Sequence, residues 1–382
     1  MAIQVRYGMV GGSLNAFIGN VHREAAAFDH RIKLVAGCFS TNPERNHETG
    51  ETLLLDPDRV YDSFAEMAEK ESQREDGINL VSITAQNYVH YEAAKCFLEH
   101  GIHVICEKPL CFEVEQAEEL AALAKANNLV FCVMYSYSGY GMLKVAREMI
   151  AEGKIGDVIS VNGEYIQEWL IDELGTDDDG TARLSVWRKI PEQAGISNCV
   201  GDIGTHIENT VHYLTGLKIK RLSATVNRFG KPLDLNANML VQFDNGAYGA
   251  YWCSQVAIGK MNGLVVRIYG TEGAIEWEQH FPDYLKYTPK GRPPQMLSRG
   301  CGYLNEEAAS YSRIPSGHPE GLVIAFANVY KNVISAVINV EEGGSADDPK
   351  FDYPRVEDGI NGVKFIHAVI ESGDNDAKWV EL

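Results

Sequence analysis

The first 135 residues alternate between short apolar runs and stretches with helical spacing, which leaves few folds open to this part of the chain. The runs typical of buried strands cover residues 4–10, 32–39, 80–83, 102–106 and 130–135. Strands joined through helices pair in parallel, with right-handed crossovers and helices on both faces of the sheet. The sequence therefore predicts an α/β fold with a doubly wound parallel sheet at its N-terminal end.

A glycine-containing loop, Gly11-Gly12-Ser13, follows the first predicted strand. Glycines let the backbone approach a pyrophosphate, and the N-terminus of the next helix offers unpaired N–H groups. The loop departs from the usual G-x-G-x-x-G pattern because Ser13 replaces a glycine and Gly19 comes late. The pattern favours a dinucleotide site, and a glycine-rich turn without a ligand is the alternative.

The end of the second predicted strand leaves the type of nicotinamide cofactor open. An acidic residue that binds the ribose hydroxyls is usual here, but the chain has Ser40. Arg45, slightly further on, could meet a 2′-phosphate or could be a solvated residue at a helix start. We expect NAD as the cofactor, with NADP possible.

A lysine follows the strand predicted at 102–106, in the sequence Glu107-Lys108-Pro109. An ammonium group at the end of an apolar strand needs a partner, a ligand or open water, because its burial alone is costly. Thr84 and Asn87 fall at the same carboxyl edge of the predicted sheet, where such sheets bind ligands. These residues are therefore candidates for a functional site.

The stretch Gly201-Asp202-Ile203-Gly204-Thr205-His206 places an acid and an imidazole four residues apart. We interpret Thr205-x-x-Glu208 as a capping box that begins a helix, with Asp202 and His206 on one face. A histidine there can take a hydroxyl proton near neutral pH, and the aspartate can orient it. The alternative is that Asp202 caps the start of the helix and that His206 is a structural histidine in the core. An apolar stripe that should face the core runs beside them: Ile203, Ile207, Val211 and Leu214.

Beyond residue 135 the strands become longer and alternate more clearly. Hairpins are predicted at 239–253, across Asp244-Asn245-Gly246, and at 265–277. We therefore predict a dinucleotide-binding domain at 1–134 and a substrate-binding and oligomerisation α+β domain at 135–382. Its large, open, mainly antiparallel sheet needs a cover, which favours a homodimer or homotetramer. Residues 282–316 have little periodicity and are expected to form a long loop.

Composition and charge exclude several classes of partner. The chain has 34 basic and 53 acidic residues and a formal net charge of −19, which argues against nucleic-acid and anionic-lipid surfaces. We expect no transmembrane helix and no signal peptide. The eight cysteines are scattered without a Cys-x-x-Cys pair, so we expect reduced thiols, a cytoplasmic location and no metal site.

The glycine loop, Glu107-Lys108-Pro109 and the Gly-Asp-x-Gly-x-His pattern at 201–206 together resemble the Gfo/Idh/MocA oxidoreductases over nearly the whole chain. Residues 17–23, 187–188 and 317–321 are most similar to the branch of L-glucose, levoglucosan and inositol dehydrogenases. The resemblance implies a Rossmann domain and an NAD(P)-dependent dehydrogenase that oxidises a secondary hydroxyl of a sugar, sugar derivative or inositol. It also implies that Lys108, Asp202 and His206 are catalytic.

The resemblance further implies two sets of binding residues. The expected cofactor-binding residues are Gly11, Gly12, Ser13, Phe17, Ile18, Ser40, Arg45, Thr84, Asn87, His90, Glu107, Lys108, Trp187 and Arg188. The expected substrate-binding residues are Lys108, Tyr140, Gln167, Arg188, Asp202, His206 and His318. Trp169 could add a stacking face for a sugar ring, or could belong to the core. For several of these residues, Arg188 and His318 among them, a structural role is an equal alternative.

Two other functions are compatible with the same residues. Oxidation could be transient, so that a glycosidic bond is eliminated and the cofactor is reduced back, which would make the protein a glycosidase without net redox change. Alternatively, the chain could be a cofactor-binding sensor that has lost catalysis. The presence of Lys108, Asp202 and His206 together argues against the sensor.

Overall fold

The computed structural model describes residues 4–174 and 186–382. The chain forms two compact units, the first comprising Met1–Gly139 with Leu322–Ile360 and the second Tyr140–Gly321 with Asn361–Leu382. The domain boundary at residues 134 and 135 stays a prediction. In chain order the α-helices are α1 (Phe17–Ala27), α2 (Pro43–Thr52), α3 (Phe64–Ser72), α4 (Asn87–Glu99), α5 (Val114–Ala126), α6 (Gly141–Ala151), α7 (Pro191–Ala194), α8 (Thr205–Thr215), α9 (Glu306–Ser310), α10 (Leu322–Glu341) and α11 (Val356–Asp374).

The first unit contains a five-stranded parallel sheet in the order β2-β1-β3-β4-β5. Its strands are β1 (Val5–Gly11), β2 (Ile32–Cys38), β3 (Leu80–Thr84), β4 (His103–Cys106) and β5 (Phe131–Val133). An isolated parallel bridge between Gly37 and Val60 continues the sheet beyond β2. The strand order reverses between β1 and β3, which is where open α/β sheets bind ligands. The predicted doubly wound parallel sheet is confirmed.

Helix α10 lies in the core of the first unit. Its buried residues Phe326, Tyr330 and Val333 belong to one apolar cluster with Tyr7 of β1 and Val21 of α1. In the described part of the chain, α10 is the one helix that is long and apolar enough to cross a membrane, judged by length and composition. More than half of its apolar stretch is buried inside the protein. We therefore assign it as a core helix.

The second unit contains a nine-stranded sheet in the order β13-β12-β11-β10-β6-β9-β8-β7-β14. Its strands are β6 (Val158–Ile166), β7 (Ile219–Asn227), β8 (Asn236–Phe243), β9 (Tyr248–Ser254), β10 (Gly263–Gly270), β11 (Gly273–Glu278), β12 (Tyr284–Pro289), β13 (Gln295–Ser298) and β14 (Val380–Glu381). The pairs are antiparallel except for β6 with β9. Both predicted hairpins, β8–β9 and β10–β11, are confirmed.

The expectation of a long loop over residues 282–316 is wrong, because β12, β13 and α9 lie within it. Strand β12 pairs with β11 and buries Leu285, whereas Lys286 and Tyr287 stay partly exposed. The outermost strand, β13, has no buried residue. Strands near the edge of a sheet that bury so few residues show almost no apolar alternation, so the sequence pattern does not predict them.

Helix α8 packs on one face of the nine-stranded sheet. The predicted apolar stripe is buried: Ile203, Ile207, Val211 and Leu214 are each at most 3% exposed. A Cβ at Gly163 of β6 would lie 2.3 Å from Ile207 Cγ2, so this glycine leaves room for the helix. Of the expected site residues of the second unit, His206 lies on this helix, Asp202 lies in the helical segment directly before it, and Gln167 follows strand β6.

Candidate active site

The glycine loop forms a tight junction between β1 and α1. Gly11 and Gly12 have φ values of 75° and 71°, which residues other than glycine rarely adopt. A Cβ at Gly12 would lie 2.8 Å from Thr84 Oγ1, and a Cβ at Gly19 would lie 2.4 Å from Gly12 Cα. The late glycine therefore lets α1 approach the loop closely. A loop that begins with two glycines and leads to a helix N-terminus fits the pyrophosphate of a dinucleotide.

The other expected cofactor residues of this region lie around the first turns of α1 and α2. Phe17 is 71% exposed, whereas Ile18 packs against the core. Ser40 Oγ accepts a hydrogen bond from the Asn42 N–H at 3.1 Å. The Asn42 side chain caps α2 through the Arg45 N–H at 2.9 Å, and the Arg45 side chain is exposed.

One residue that the sequence analysis gave no role supports the loop directly. Arg23 of α1 donates a hydrogen bond to the Gly12 carbonyl oxygen and another to Asn20 Oδ1. Burial lowers the pKa of Arg23, and the Tyr7 and Glu24 side chains partly oppose this. The guanidinium thus holds the loop against the second turn of the helix.

Glu107 is the centre of a buried hydrogen-bond network at the end of β4. Its Oε1 atom lies 2.9 Å from His22 Nε2, and its Oε2 atom accepts from the Lys108 N–H at 3.2 Å. His22 Nδ1 lies 2.8 Å from the Tyr330 hydroxyl and 3.1 Å from Ser82 Oγ. Burial would raise the pKa of Glu107, but the His22 hydrogen bond and the nearby positive charge of Lys108 hold it below the usual value.

His90 connects the two loops that follow β3 and β4. Its Nδ1 atom lies 2.8 Å from the Pro109 carbonyl oxygen, and its Nε2 atom lies 3.1 Å from that of Ala85. Burial lowers the pKa of His90, although these two carbonyl groups oppose the shift. The ring therefore supports the loops that carry Lys108 and Asn87.

Asp202 has both carboxylate oxygens engaged within the second unit. Arg188 Nη2 lies 3.3 Å from Oδ1, and Gln255 Nε2 lies 3.0 Å from Oδ2. The Arg188 guanidinium also lies over the Trp187 ring, 4.7 Å from its centroid. Gln255 follows β9 and belongs to no sequence motif, so a local pattern does not predict its contact with Asp202.

The capping box predicted at Thr205 is wrong. A π-helical segment, Val200–Gly204, runs directly into α8, so Thr205 lies inside a continuous helical stretch. The cap is instead the buried carboxylate of Asp234, whose oxygens accept from the N–H groups of Asn198 and Val200, each at 2.8 Å. A partner this far along the chain cannot be found from a local pattern.

His206 lies beside an aromatic side chain and a hydrogen-bonded strip at the end of β6. Its ring centroid is 5.8 Å from that of Tyr165. The Tyr165 hydroxyl and Gln167 Nε2 both donate to Asn262 Oδ1 at 2.7 Å, and Trp169 Nε1 donates to Gln167 Oε1 at 2.8 Å. The Gln167 amide thus has a protein partner at each end. Asn262 is a further residue that the sequence analysis missed.

The loop that carries His318 is held by a buried ion-pair cluster. Arg299 Nε lies 2.8 Å from Asp283 Oδ1, and its Nη1 atom lies 3.0 Å from Glu320 Oε1. Arg299 also donates to the carbonyl oxygens of Ile314 and His318. The His318 side chain itself is exposed. Glu320 therefore has a structural role in this loop.

Tyr140, an expected substrate contact, is only 6% exposed, and its ring lies 5.3 Å from that of Trp277. Burial raises the pKa of Tyr140 above its ordinary value. No three His, Cys, Asp or Glu side chains within residues 4–174 and 186–382 form a group that could hold a metal ion. Of the three expected catalytic residues, Lys108 belongs to the first unit, and Asp202 and His206 belong to the second.

A doubly wound sheet with a glycine loop at its ligand-binding edge is typical of dinucleotide-binding proteins, and comparison with known proteins identifies the family. Residues 5–135 match the model of the oxidoreductase family with an NAD-binding Rossmann fold. Residues 143–276 match the GFO/IDH/MocA C-terminal domain.

Relatives of known sequence extend this match to almost the whole chain. The uncharacterized oxidoreductase YfiI of Bacillus subtilis (strain 168) is 35% identical over 99% of this chain and 97% of its own length. The levoglucosan dehydrogenase of Pseudarthrobacter phenanthrenivorans is 30% identical over 80% of each chain. The protein therefore belongs to the Gfo/Idh/MocA family of oxidoreductases.

A solved structure of an inositol dehydrogenase homolog from Azotobacter vinelandii, complexed with NAD⁺, is 37% identical to this chain. It superposes with a TM-score of 0.94 over 100% of this chain and 98% of its own length. A second structure of an inositol dehydrogenase homolog from that organism holds NADH and myo-inositol, with 36% identity and a TM-score of 0.92 over 100% of this chain and 98% of its own. The first unit is thus an NAD-binding Rossmann domain.

Proposed function

We propose that this protein is an NAD-dependent dehydrogenase that oxidises a secondary hydroxyl of a cyclitol, an anhydrosugar or a related sugar. The observation that carries the proposal is the Asp202 carboxylate, hydrogen-bonded at both oxygens on the helical segment that leads to His206. A carboxylate held in this way supports positive charge on neighbouring side chains. The inositol and levoglucosan dehydrogenases among the relatives favour a polyol substrate.

The proposed chemistry divides between three side chains. His206 takes the hydroxyl proton of the substrate, as a general base that works near neutral pH. The Lys108 ammonium stabilises the developing alkoxide, and Asp202 favours the protonated form of the imidazole once the proton has moved. When bound in the first unit, NAD supplies the acceptor for the hydride that leaves the carbinol carbon. The products are a ketone, reduced cofactor and one proton.

The remaining expected contacts have supporting roles in this proposal. Arg188 presents a guanidinium beside Asp202, and a guanidinium is a good donor to vicinal hydroxyls. Trp169 is partly exposed and hydrogen-bonded through Gln167, which suits a ring face for a sugar. His90 and Glu107 act by fixing the loops around Lys108.

The proposal is tested with purified protein, NAD and NADP in parallel, and myo-inositol, levoglucosan and L-glucose as substrates. We expect NADH fluorescence to increase with at least one polyol. His206→Ala should lower kcat by about 10²- to 10⁴-fold, the usual contribution of an acid–base group, and Lys108→Met should do so by a comparable factor. His206→Ala, at a residue outside the expected cofactor set, should bind NADH like the wild type.

Two results would overturn the proposal. One is an absence of NAD(P) reduction with every polyol, and the other is full turnover by Lys108→Met. Cleavage of glycosides without NADH accumulation, measured on the same protein, would instead support transient oxidation with elimination.

A further inference from the structure

Gln255 lies between Asp202 and a second amide, at the end of β9. Its Nε2 atom donates to Asp202 Oδ2 at 3.0 Å, and its Oε1 atom accepts from Asn198 Nδ2 at 2.9 Å. The residue is 0% exposed and Asn198 is 5% exposed, so both amides lie inside the second unit. Within the described residues, Asn198 Oδ1 is a buried atom without a hydrogen-bond partner. Asn198 and Gln255 thus form a short chain of hydrogen bonds that ends on the Asp202 carboxylate. We call these two residues the relay.

Both members of the relay are fixed through their backbones. The Gln255 N–H donates to the Leu235 carbonyl oxygen at 2.9 Å, and the Gln255 carbonyl oxygen accepts from the Leu170 N–H at 3.0 Å. The Asn198 N–H donates to the Asp234 carboxylate at 2.8 Å. The relay therefore has little freedom to follow Asp202 if that side chain moves.

The direction of the hydrogen bonds in the relay determines whether it pairs with the ionised or with the protonated form of Asp202. An amide has one oxygen, which only accepts, and one NH₂ group, which only donates. Because Asn198 donates to Gln255 Oε1, Gln255 must present its NH₂ group to Asp202. A donor is satisfied by the carboxylate of Asp202, and the Arg188 guanidinium on the other oxygen acts in the same direction.

We propose that Gln255 is a positioning residue that holds Asp202 in its ionised form and in a single orientation. The inference rests on the proposed function, because it gives Asp202 the role of supporting charge on His206. Arg188 forms an ion pair with Asp202, and burial raises the pKa of the Cys199 thiol in this unit, helped by the Asp234 and Asp202 carboxylates. Asp234 is separated from Asp202 by the relay itself.

The first test replaces Gln255 by residues of similar size. Gln255→Met removes the hydrogen bond and should lower kcat by about 10- to 100-fold, the usual range for a bond to a charged group. NADH affinity should stay unchanged. Gln255→Glu places a second carboxylate against Asp202, which disfavours ionisation of both groups. The acidic limb of the kcat profile should therefore move to higher pH, a change that a merely structural role would not produce.

Gln242→Met is the matched control. Gln242 lies on β8, and its Oε1 atom accepts from Arg221 Nε at 2.6 Å. Its substitution removes a glutamine–arginine hydrogen bond in the same sheet and, in protein of the wild-type oligomeric state, should leave kcat and its pH profile unchanged. Equal losses of kcat in Gln255→Met and Gln242→Met would overturn the proposal, as would an unchanged profile in Gln255→Glu.

The relay also predicts non-additive effects. Asn198→Leu should lower kcat less than Gln255→Met, and the double variant should be no slower than Gln255→Met alone, since the relay is already broken. If the losses of kcat in the two single variants multiplied in the double variant, the two residues would act independently, which would contradict the relay. The polyol in these assays is whichever of myo-inositol, levoglucosan and L-glucose the wild type oxidises fastest.

Crystal structures of the wild type and Gln255→Met separate this inference from the proposed function. A rotated Asp202 carboxylate in the variant supports the positioning role even if the wild type reduces NAD with none of the polyols. An Asp202 side chain that keeps its place in the variant overturns it, whatever the activity.

Discussion

His22 Nε2 lies 2.9 Å from Glu107 Oε1 in the interior of the first unit. The contact links α1, which follows the glycine loop, to the residue that precedes Lys108. A carboxylate accepts only, so Nε2 of His22 is the donor in this contact, and Nδ1 lies within hydrogen-bond distance of the Tyr330 and Ser82 hydroxyl groups. The loop for the dinucleotide and the expected catalytic lysine are thus supported by one buried network.

Replacement of His22 should therefore destabilise the protein strongly. His22→Phe leaves the buried Glu107 carboxylate without this partner, for which a loss of about 3–5 kcal/mol in the free energy of unfolding is usual. Urea denaturation measures the loss. The matched control is His47→Phe, because His47 is exposed and lies 3.7 Å from Asp62, also exposed. An equal, small effect of both substitutions would contradict a supporting role of the network.

Because His90 is buried, we expect the free energy of unfolding to decrease in mildly acidic solution. Its folded-state pKa lies below the ordinary value, so the unfolded chain binds a proton that the folded protein does not. The contribution of neutral His90 to the free energy of unfolding is fully present above about pH 6.5, the pKa in the unfolded chain. It is lost as the pH falls from there through the lower pKa of the folded protein. Each proton taken up contributes a slope of about 1.4 kcal/mol per pH unit.

Urea denaturation at several pH values between neutral and acidic tests this prediction. His90→Asn should have a smaller decrease in the free energy of unfolding than the wild type over that interval. His47→Asn, at an exposed position, serves as the comparison and should retain the wild-type slope. A wild-type slope in His90→Asn would show that other groups cause the acid sensitivity.

The late glycine of the loop gives a prediction about cofactor binding. In Gly19→Ala the new methyl group would lie 2.4 Å from Gly12 Cα, a backbone atom that cannot yield without moving the loop. We expect a destabilisation of about 1–3 kcal/mol, typical of overpacking, and a weaker affinity for NADH. Thermal unfolding and NADH fluorescence titration measure the two effects. In Gly302→Ala the methyl group would meet no atom within 4 Å, so both quantities should stay at wild-type values.

The features that sequence reasoning found are those with local causes. The β8–β9 hairpin follows from Asp244-Asn245-Gly246, where Gly246 adopts the positive φ of 89° that glycine tolerates. The parallel sheet follows from the spacing of apolar runs, and the stripe on α8 follows from helical periodicity.

The features that it missed depend on partners distant in the chain. Gln255 and Asp202 are 53 residues apart, and Tyr165 and Asn262 are 97 apart. Asp234 caps a helical segment that begins more than thirty positions before it. The local capping pattern at Thr205 is satisfied in sequence, but tertiary hydrogen bonds extend the helix past it.

Exposed apolar side chains on the outward face of the nine-stranded sheet lead us to expect self-association. Leu240 of β8 is 56% exposed and Tyr248 of β9 is 50% exposed, and both lie on inner strands of the sheet. In the register of this pair Leu240 faces Ala250 and Gln242 faces Tyr248, so the two apolar side chains lie on one face. Exposed apolar side chains in the middle of a sheet favour a partner, and we expect a homodimer or homotetramer.

Light scattering after size-exclusion chromatography measures the oligomeric state. Leu240→Glu should shift the protein towards the monomer, because association would then bury an unpaired carboxylate. Ile258→Glu changes a residue that is 77% exposed outside the strands, and should leave the oligomeric state of the wild type unchanged. A monomeric wild type at the concentrations used for assays would refute the prediction. Equal dissociation of both variants would instead attribute the effect to added charge, not to the sheet face.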